Sequence, residues 1–513
     1  MTDPTDPGRA APAVVPGVVD ALRADLTAAG YTVDRVEEVL GPRAAAALRR
    51  EQPLLAERVT REVADPVATL LRCFVLGRSA TRAALDAALP RTTADGLLAL
   101  RLVAAADDGT PDSFVPTSDL RPYGDEDHTW WVVSDLSEHA LGGVLPTHHV
   151  LGVGGASTTL ASWTPRPHVD RALDLGTGCG VQALHLALHA GHPAHPVVAT
   201  DLSARALDLA RLTAALNGVE LDLRRGNLLE PVAGERFDLV VSNPPFVITP
   251  RVAGVPLYEY RDGGAAGDTL VARLVGQVGE HLAPGGIAQL LANWELPAGE
   301  DWRERVSGWL AGTGLDAWVV QREEQDVAEY AETWVRDGGH RPGSAGFEEL
   351  YAAWLADFAA RDVESVGFGV VTLQRPATER DPWRDLDDVR SPVASPMGPT
   401  VLAGLRARTW LAEHDDDALL DVSWQVADDV TEERVGRPGA PDPQVIQVRQ
   451  GGGLRRVVRL GTLAAGVVGA CDGELTARQL CAGLAVLTEV PAADVEVEVV
   501  PVLRELVKDG LLR

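Results

Sequence analysis

The stretch RALDLGTGCGVQALHLALHAG, Arg171 to Gly191, decides how the middle of the chain folds. Its first five residues read as a short buried strand and its last eleven as a helix, with apolar residues at three- and four-residue spacing. Between them, glycines at 176, 178 and 180 permit a tight turn whose backbone N–H groups can approach a ligand at the helix N-terminus. The spacing is G-x-G-x-G, and Val181 stands where a dinucleotide fingerprint needs its third glycine, which argues against a nicotinamide or flavin cofactor.

Outward from this stretch, apolar strands alternate with helical segments between about 168 and 375: RALDLG, PVVATD, LDLRRG, FDLVVS, GGIAQLLA, LDAWVV and VGFGVVTLQ. The alternation predicts an α/β fold, a doubly wound and mostly parallel sheet of seven strands with helices on both faces. In such sheets ligands gather outside the carboxyl ends of the strands. Asp174 ends the first strand beside the glycine loop, where it could meet a cationic or hydroxyl-bearing ligand. Asp201 ends the second, placed to accept hydrogen bonds from two ribose hydroxyls, and Asn227 follows the third, positioned to meet an adenine edge. Each alone reads as a turn, a helix cap or a polar loop. In this order they specify a nucleoside-type cofactor, held by Asp174, Gly176, Thr177, Gly178, Gly180, Asp201 and Asn227.

The fourth strand runs into VVSNPPFVI, Val240 to Ile248. Proline lacks a backbone N–H and fixes φ, so two in a row stop sheet pairing and hold a stiff, extended turn that can present oxygens to a ligand. With DLGTGCG, Asp201 and NPPF in succession, the segment from about 163 to 295 resembles the class I S-adenosylmethionine-dependent methyltransferases of the [ND]PP[FYW] branch. It is most similar there to the HemK/PrmC-type glutamine methyltransferases (methyltransferase small domain). TPRP before the loop and RDGGAAGDTL after NPPF echo further motifs of that family. NPPF is shared with rRNA guanine-N2 and adenine-N6 methyltransferases of similar, Rossmann-like fold.

The resemblance implies S-adenosyl-L-methionine (AdoMet) as cofactor, N-methyl transfer as chemistry, and catalytic roles for Asn243, Pro244, Pro245 and Phe246. The Asn243 side-chain oxygen and the Pro244 carbonyl would accept the two hydrogens of a planar N–H2 group, returning electron density to the nitrogen, while the prolines fix both acceptors. Phe246 would stack on the flat acceptor. The expected substrate is a protein glutamine, as in a peptide-release factor. The alternatives are an exocyclic amine of rRNA, tRNA or DNA and, from another class, a non-catalytic binding scaffold that retains the fold.

The formal charge of −28 should repel polyanions over much of the surface. Four scattered cysteines, without the close pairing of a zinc site, indicate neither a disulfide framework nor a metal. No apolar run approaches a membrane span and no signal peptide opens the chain, so a soluble, cytoplasmic protein without membrane contact is expected. The oligomeric state is not legible.

The expected organisation is a disordered tail over 1–17, a helical and winged-helix-like domain over 18–125, the methyltransferase domain over 126–376 with a helical insertion at 322–363, an exposed linker over 377–399 and a winged-helix-like module over 400–513. Weaker expectations concern single side chains. Trp130 and Trp131 point to opposite faces of a strand, one of them into core. His148 and His149 read as solvated loop residues that could instead line the donor site. Tyr258 and Tyr260 either gate the substrate or pack in the core, and Arg166 reads as an exposed turn arginine.

Overall fold

The computed structural model describes residues 11–107, 109–125, 127–189, 195–439 and 442–513. Most of the expected N-terminal tail, residues 1–10, lies outside them, and the first helix, Pro16–Ala29, begins within the stretch expected to be tail. Helices follow at Val33–Leu48, Leu54–Glu62 and Pro66–Leu70, the last continuing as one π-helical turn, Leu71–Val75. The segment after it runs strand, helix, helix, strand, strand, from Ala80 to Pro116, with the three short strands antiparallel and the last in the middle.

A hairpin of Asp119–Gly124 and Thr129–Ser134 couples this N-terminal part to the rest. Trp130 is buried in the shared core, whereas half-buried Trp131 donates its Nε1–H to the Tyr31 carbonyl at 2.8 Å. Asn217, at the end of helix Ala204–Leu216, bonds the Trp131 backbone in both directions, at 3.0 and 2.8 Å. Arg23 reaches across to the Leu216 carbonyl at 2.9 Å. The N-terminal helices and helix Ala204–Leu216 therefore share one apolar core.

The central sheet contains β1 Ala172–Leu175, β2 Val197–Asp201, β3 Leu221–Arg225, β4 Phe237–Ser242, β5 Leu282–Pro297, β6 Asp316–Asp326, β7 Val363–Gln374 and β8 Arg384–Asp388. They lie side by side as β8-β6-β7-β5-β4-β1-β2-β3. From β3 across to β5 every pairing is parallel; β7 runs antiparallel to both β5 and β6. All four residues of β1 are buried, as a parallel strand covered on both faces requires. The carboxyl ends of β1 to β4 face the same edge. Strand order reverses between β1 and β4, which opens a crevice there.

Two expectations are corrected here. The linker 377–399 is not an exposed connection throughout, because its RDLDD segment pairs in parallel with β6 and adds an eighth strand. The insertion 322–363 begins as strand: β6 continues to Asp326, and only then do helices Val327–Asp337 and Ala345–Ala360 follow. Those helices bury Tyr330, Trp354 and Phe358 beneath Val247 and Ile248, and Tyr330 Oη accepts the Ile248 N–H at 3.0 Å.

Beyond β8, helix Gly398–Glu413 lies against the sheet. Its buried Arg408 stacks 3.7 Å from the Trp318 ring centroid, and pairs with Asp385 of β8 at 2.7 Å and Asp509 at 3.3 Å. The C-terminal part is a three-stranded antiparallel sheet followed by helices Thr462–Val468, Ala477–Thr488 and Ala492–Lys508. In a winged helix a hairpin follows the second and third helices. Here Leu512, after the last helix, pairs with Val426, which lies upstream of all three. Among the described residues no helix is long and apolar enough to cross a membrane.

Candidate functional site

A cavity of about 1270 Å³ opens over the carboxyl ends of β1 to β4. Its floor is the glycine loop. Gly176, Gly178 and Gly180 have φ of 74°, 55° and 91°, the left-handed region that side chains disfavour. A Cβ built on Gly178 would project into open space, so the loop backbone is bare toward the cavity, whereas one on Gly180 would meet Ala210 at 3.3 Å. Gly180 thus serves close helix packing and does not line the cavity.

Asp201 closes the loop from β2. Its Oδ2 accepts the Gly178 N–H at 2.9 Å and its Oδ1 the Ser203 N–H at 2.8 Å, so it fixes the loop and the turn that leads into the next helix while bordering the cavity. Burial raises its carboxyl pKa, against the pull of those two N–H donors. Thr177 and Asn227 also border the cavity.

Asp174 is placed differently from its sequence reading. It lies beneath the wall, fully enclosed, and accepts a hydrogen bond from Thr177 Oγ1 at 2.6 Å. Burial pushes its carboxyl up to about 7. From there it holds the loop threonine.

At the end of β4, Ser242 Oγ donates to the Leu175 carbonyl at 2.7 Å and locks the two central strands together just before the turn. Asn243, Pro244 and Pro245 then form cavity wall. A Cβ on Gly176 would lie 4.0 Å from the Asn243 carbonyl oxygen, so glycine loop and proline turn are neighbours. Asn243 Oδ1 is out of solvent and has no hydrogen-bond partner. Leaving such an acceptor unpaired costs roughly 1–3 kcal/mol, which a ligand N–H would restore. Phe246 departs from its expected position. It is half-buried, off the cavity wall, and packs edge-on against Trp334 with ring centroids 6.5 Å apart.

Several wall residues were missed or misread in the sequence. His149 is buried at 3% exposure, lines the cavity, and sits 3.9 Å from Asp135 and edge-on to Tyr260; burial lowers its imidazole pKa. It is not a solvated loop histidine, although PTHHVLG marks its position. Tyr260 lines the cavity and donates to Asp337 at 2.7 Å, whereas Tyr258 is core. Arg166 is half-buried away from the cavity, against the Ala161 carbonyl at 3.2 Å. Trp334 and Asp337 bring the insertion to the wall, and helix Val33–Leu48 with Leu71 and Val75 closes the far side from the N-terminal part. Nothing in those segments alone announces a cavity, since the contact arises only in tertiary structure.

Comparison with known proteins agrees with this geometry. Residues 151–308 match the family described as Methyltransferase small domain. Residues 28–113 and 403–513 match two families described as domains of unknown function, DUF7059 and DUF7782. A release factor glutamine methyltransferase of Geobacter sulfurreducens is 36% identical over 163 residues, 30% of this chain and 55% of that protein. The corresponding protein of Deinococcus radiodurans is 43% identical over 156 residues, 28% of this chain and 54% of its own. The ribosomal RNA small subunit methyltransferase C of Salmonella arizonae is 32% identical over 183 residues, 36% of this chain and 46% of its own. The chain thus spans about half the length of these relatives.

Proposed function

We propose that this protein is a cytoplasmic, AdoMet-dependent N-methyltransferase whose acceptor is the planar amide nitrogen of a protein glutamine side chain, as in a release factor. The observation that carries the reading is Asn243 Oδ1, a dry and unpartnered acceptor on a proline-stiffened turn beside a bare glycine loop.

The residues present fit the cofactor. Gly176 and Gly178 offer backbone without side chains, Asp201 and Asn227 border the same space, and Thr200 Oγ1 there is buried without a partner. When bound, AdoMet supplies an electrophilic methyl group on a positively charged sulfur. The chain does the rest. Asn243 Oδ1 and the Pro244 carbonyl accept the two amide hydrogens and draw the nitrogen lone pair out of conjugation. That pair would then be available to take up the methyl group that bound AdoMet would supply, and the nitrogen would give up one N–H proton to water. Both acceptors are fixed before the acceptor arrives, so no reorganisation is needed at the moment of reaction. Trp334 and Tyr260 take the covering role expected of Phe246, because they border the cavity.

The test incubates proteome and total RNA fractions with methyl-labelled AdoMet and either wild-type protein or Asn243→Ala. Label entering protein with wild type and absent with the variant supports the reading. Label entering RNA instead favours the exocyclic-amine alternative, which the Salmonella relative and the strand-helix-helix-strand-strand order of the N-terminal part recommend.

A further inference from the structure

The cavity is larger than the roughly 300–1,000 Å³ that a small-molecule site usually needs. The space beyond the glycine loop is walled on one side by Val36, Leu40 and Leu48 of helix Val33–Leu48 and on the other by the loop that follows NPPF. That loop is pinned to the catalytic turn. Val247 N–H donates to the Arg261 carbonyl at 2.9 Å, Val247 bridges to Asp262, and a Cβ on Gly263 would come within 2.9 Å of the Pro245 carbonyl oxygen. Asp262 is thereby held next to the proline turn.

The Asp262 side chain is only 3% exposed and borders the cavity. Its Oδ1 is occupied by Arg251 and by the Gly264 N–H at 2.8 Å, but its Oδ2 is buried with no partner. Together with Asn243 Oδ1 this makes two orphaned acceptors in one cavity, neither able to donate. A ligand carrying hydrogen-bond donors, such as the N–H groups of an amide or a guanidinium, satisfies them.

The charge around them is predominantly negative. Eight carboxylates and two guanidiniums border the cavity; Arg49 pairs with Glu37 and Arg121 with Asp119, and arginines outside the wall pair with Asp135, Asp262 and Asp337. Among the described residues no ion pair neutralises Glu51 or Glu138 at the rim. A polyanion would meet repulsion here, where nucleic-acid binding depends on neutralised phosphates. A cationic segment would meet complementary charge and an apolar wall for its aliphatic stems.

We propose that the acceptor is a basic polypeptide segment, with arginine or lysine beside the methylated side chain, bound between the N-terminal helices and the NPPF turn with Asp262 Oδ2 accepting a hydrogen bond from it. This rests on the N-methyltransferase reading of the same site and names the class of protein segment it takes.

The test is fluorescence anisotropy with the full chain and S-adenosylhomocysteine, so that no turnover occurs. The probes are a capped nonapeptide with a central glutamine between two arginines, its counterpart with two glutamates, and a nine-nucleotide oligouridylate. The arginine peptide should bind about tenfold tighter than either of the others, with the gap narrowing as salt rises. Glu51→Gln/Glu138→Gln, at rim positions outside the core, should remove most of the preference while AdoMet still raises the melting temperature. Asp262→Asn should weaken the arginine peptide by about fivefold with the same donor response. Equal binding of the two peptides, tighter binding of the oligouridylate, or wild-type preference in both variants would overturn the proposal. Should Asn243→Ala still transfer methyl while the arginine preference holds, the catalytic assignment fails and the docking assignment stands; the reverse pattern separates them the other way.

Discussion

The two halves of the cavity differ in how far the protein completes its own hydrogen bonding. At the glycine loop nearly every polar group is satisfied internally: Asp174 takes the Thr177 hydroxyl, Asp201 takes two backbone N–H groups, and Thr200 Oγ1 alone is left over. At the proline turn, Asn243 Oδ1 and Asp262 Oδ2 stay dry and unpaired. The first half is rigid because its bonds are made. The second is rigid because prolines and the loop pairing at Val247 hold it, which leaves acceptors free for a partner.

The sharpest way to break this contrast is Asn243→Ala. Methyl transfer should fall roughly 100- to 1,000-fold, the scale of one preorganised acceptor or donor, measured under single-turnover conditions. Donor affinity should hold, and the melting temperature should not drop, because the residue removed was an unsatisfied one. A clear loss of stability would show that Asn243 is bonded in the native chain after all.

Asp174 tests the other half through pH. Burial keeps its carboxyl protonated in the folded chain to about pH 7, against an ordinary value of 3.8 when unfolded. The folded state therefore holds the extra proton across that window, and stability contributed by this group falls as pH rises from about 4 to about 7, then levels. Asp174→Asn should remove that decline, making the variant more stable than wild type by about 4 kcal/mol at pH 8, with the difference closing toward pH 4. Chemical denaturation across the range measures it.

Asp201→Ala should weaken AdoMet binding about tenfold by calorimetry and, unlike Asn243→Ala, lower the melting temperature, since two backbone N–H groups lose their acceptor. The smallest change is expected for Phe246→Leu. It should cost about 1 kcal/mol of stability through the lost ring contact with Trp334, with acceptor KM nearly unchanged; a large KM effect would return Phe246 to the cavity.

The central sheet was legible because parallel strands buried on both faces read as plain apolar runs, and because DLGTGCG and NPPF carry their geometry in glycine and proline. β8 was not, since RDLDD has the composition of a linker, and an edge strand needs no apolar run to pair. At the site, Asn243, Pro244 and Asp201 border the cavity at their strand ends, and Asp174 and Phe246 do not border it. Residue type and position in the chain could not say which way those two side chains turn. The acceptor wall was illegible for another reason. Helix Val33–Leu48, Trp334 and Asp262 are far apart in sequence and meet only when the N-terminal helices dock on helix Ala204–Leu216.

The pairing of β8 with β6, held by Arg408, also governs how the molecule can be taken apart. A fragment ending before Arg384 would keep the glycine loop and the proline turn yet bare the backbone of β6, an open template for edge-to-edge association with its own copies. Dissection that respects the fold has to leave that seam intact and carry the chain through helix Gly398–Glu413.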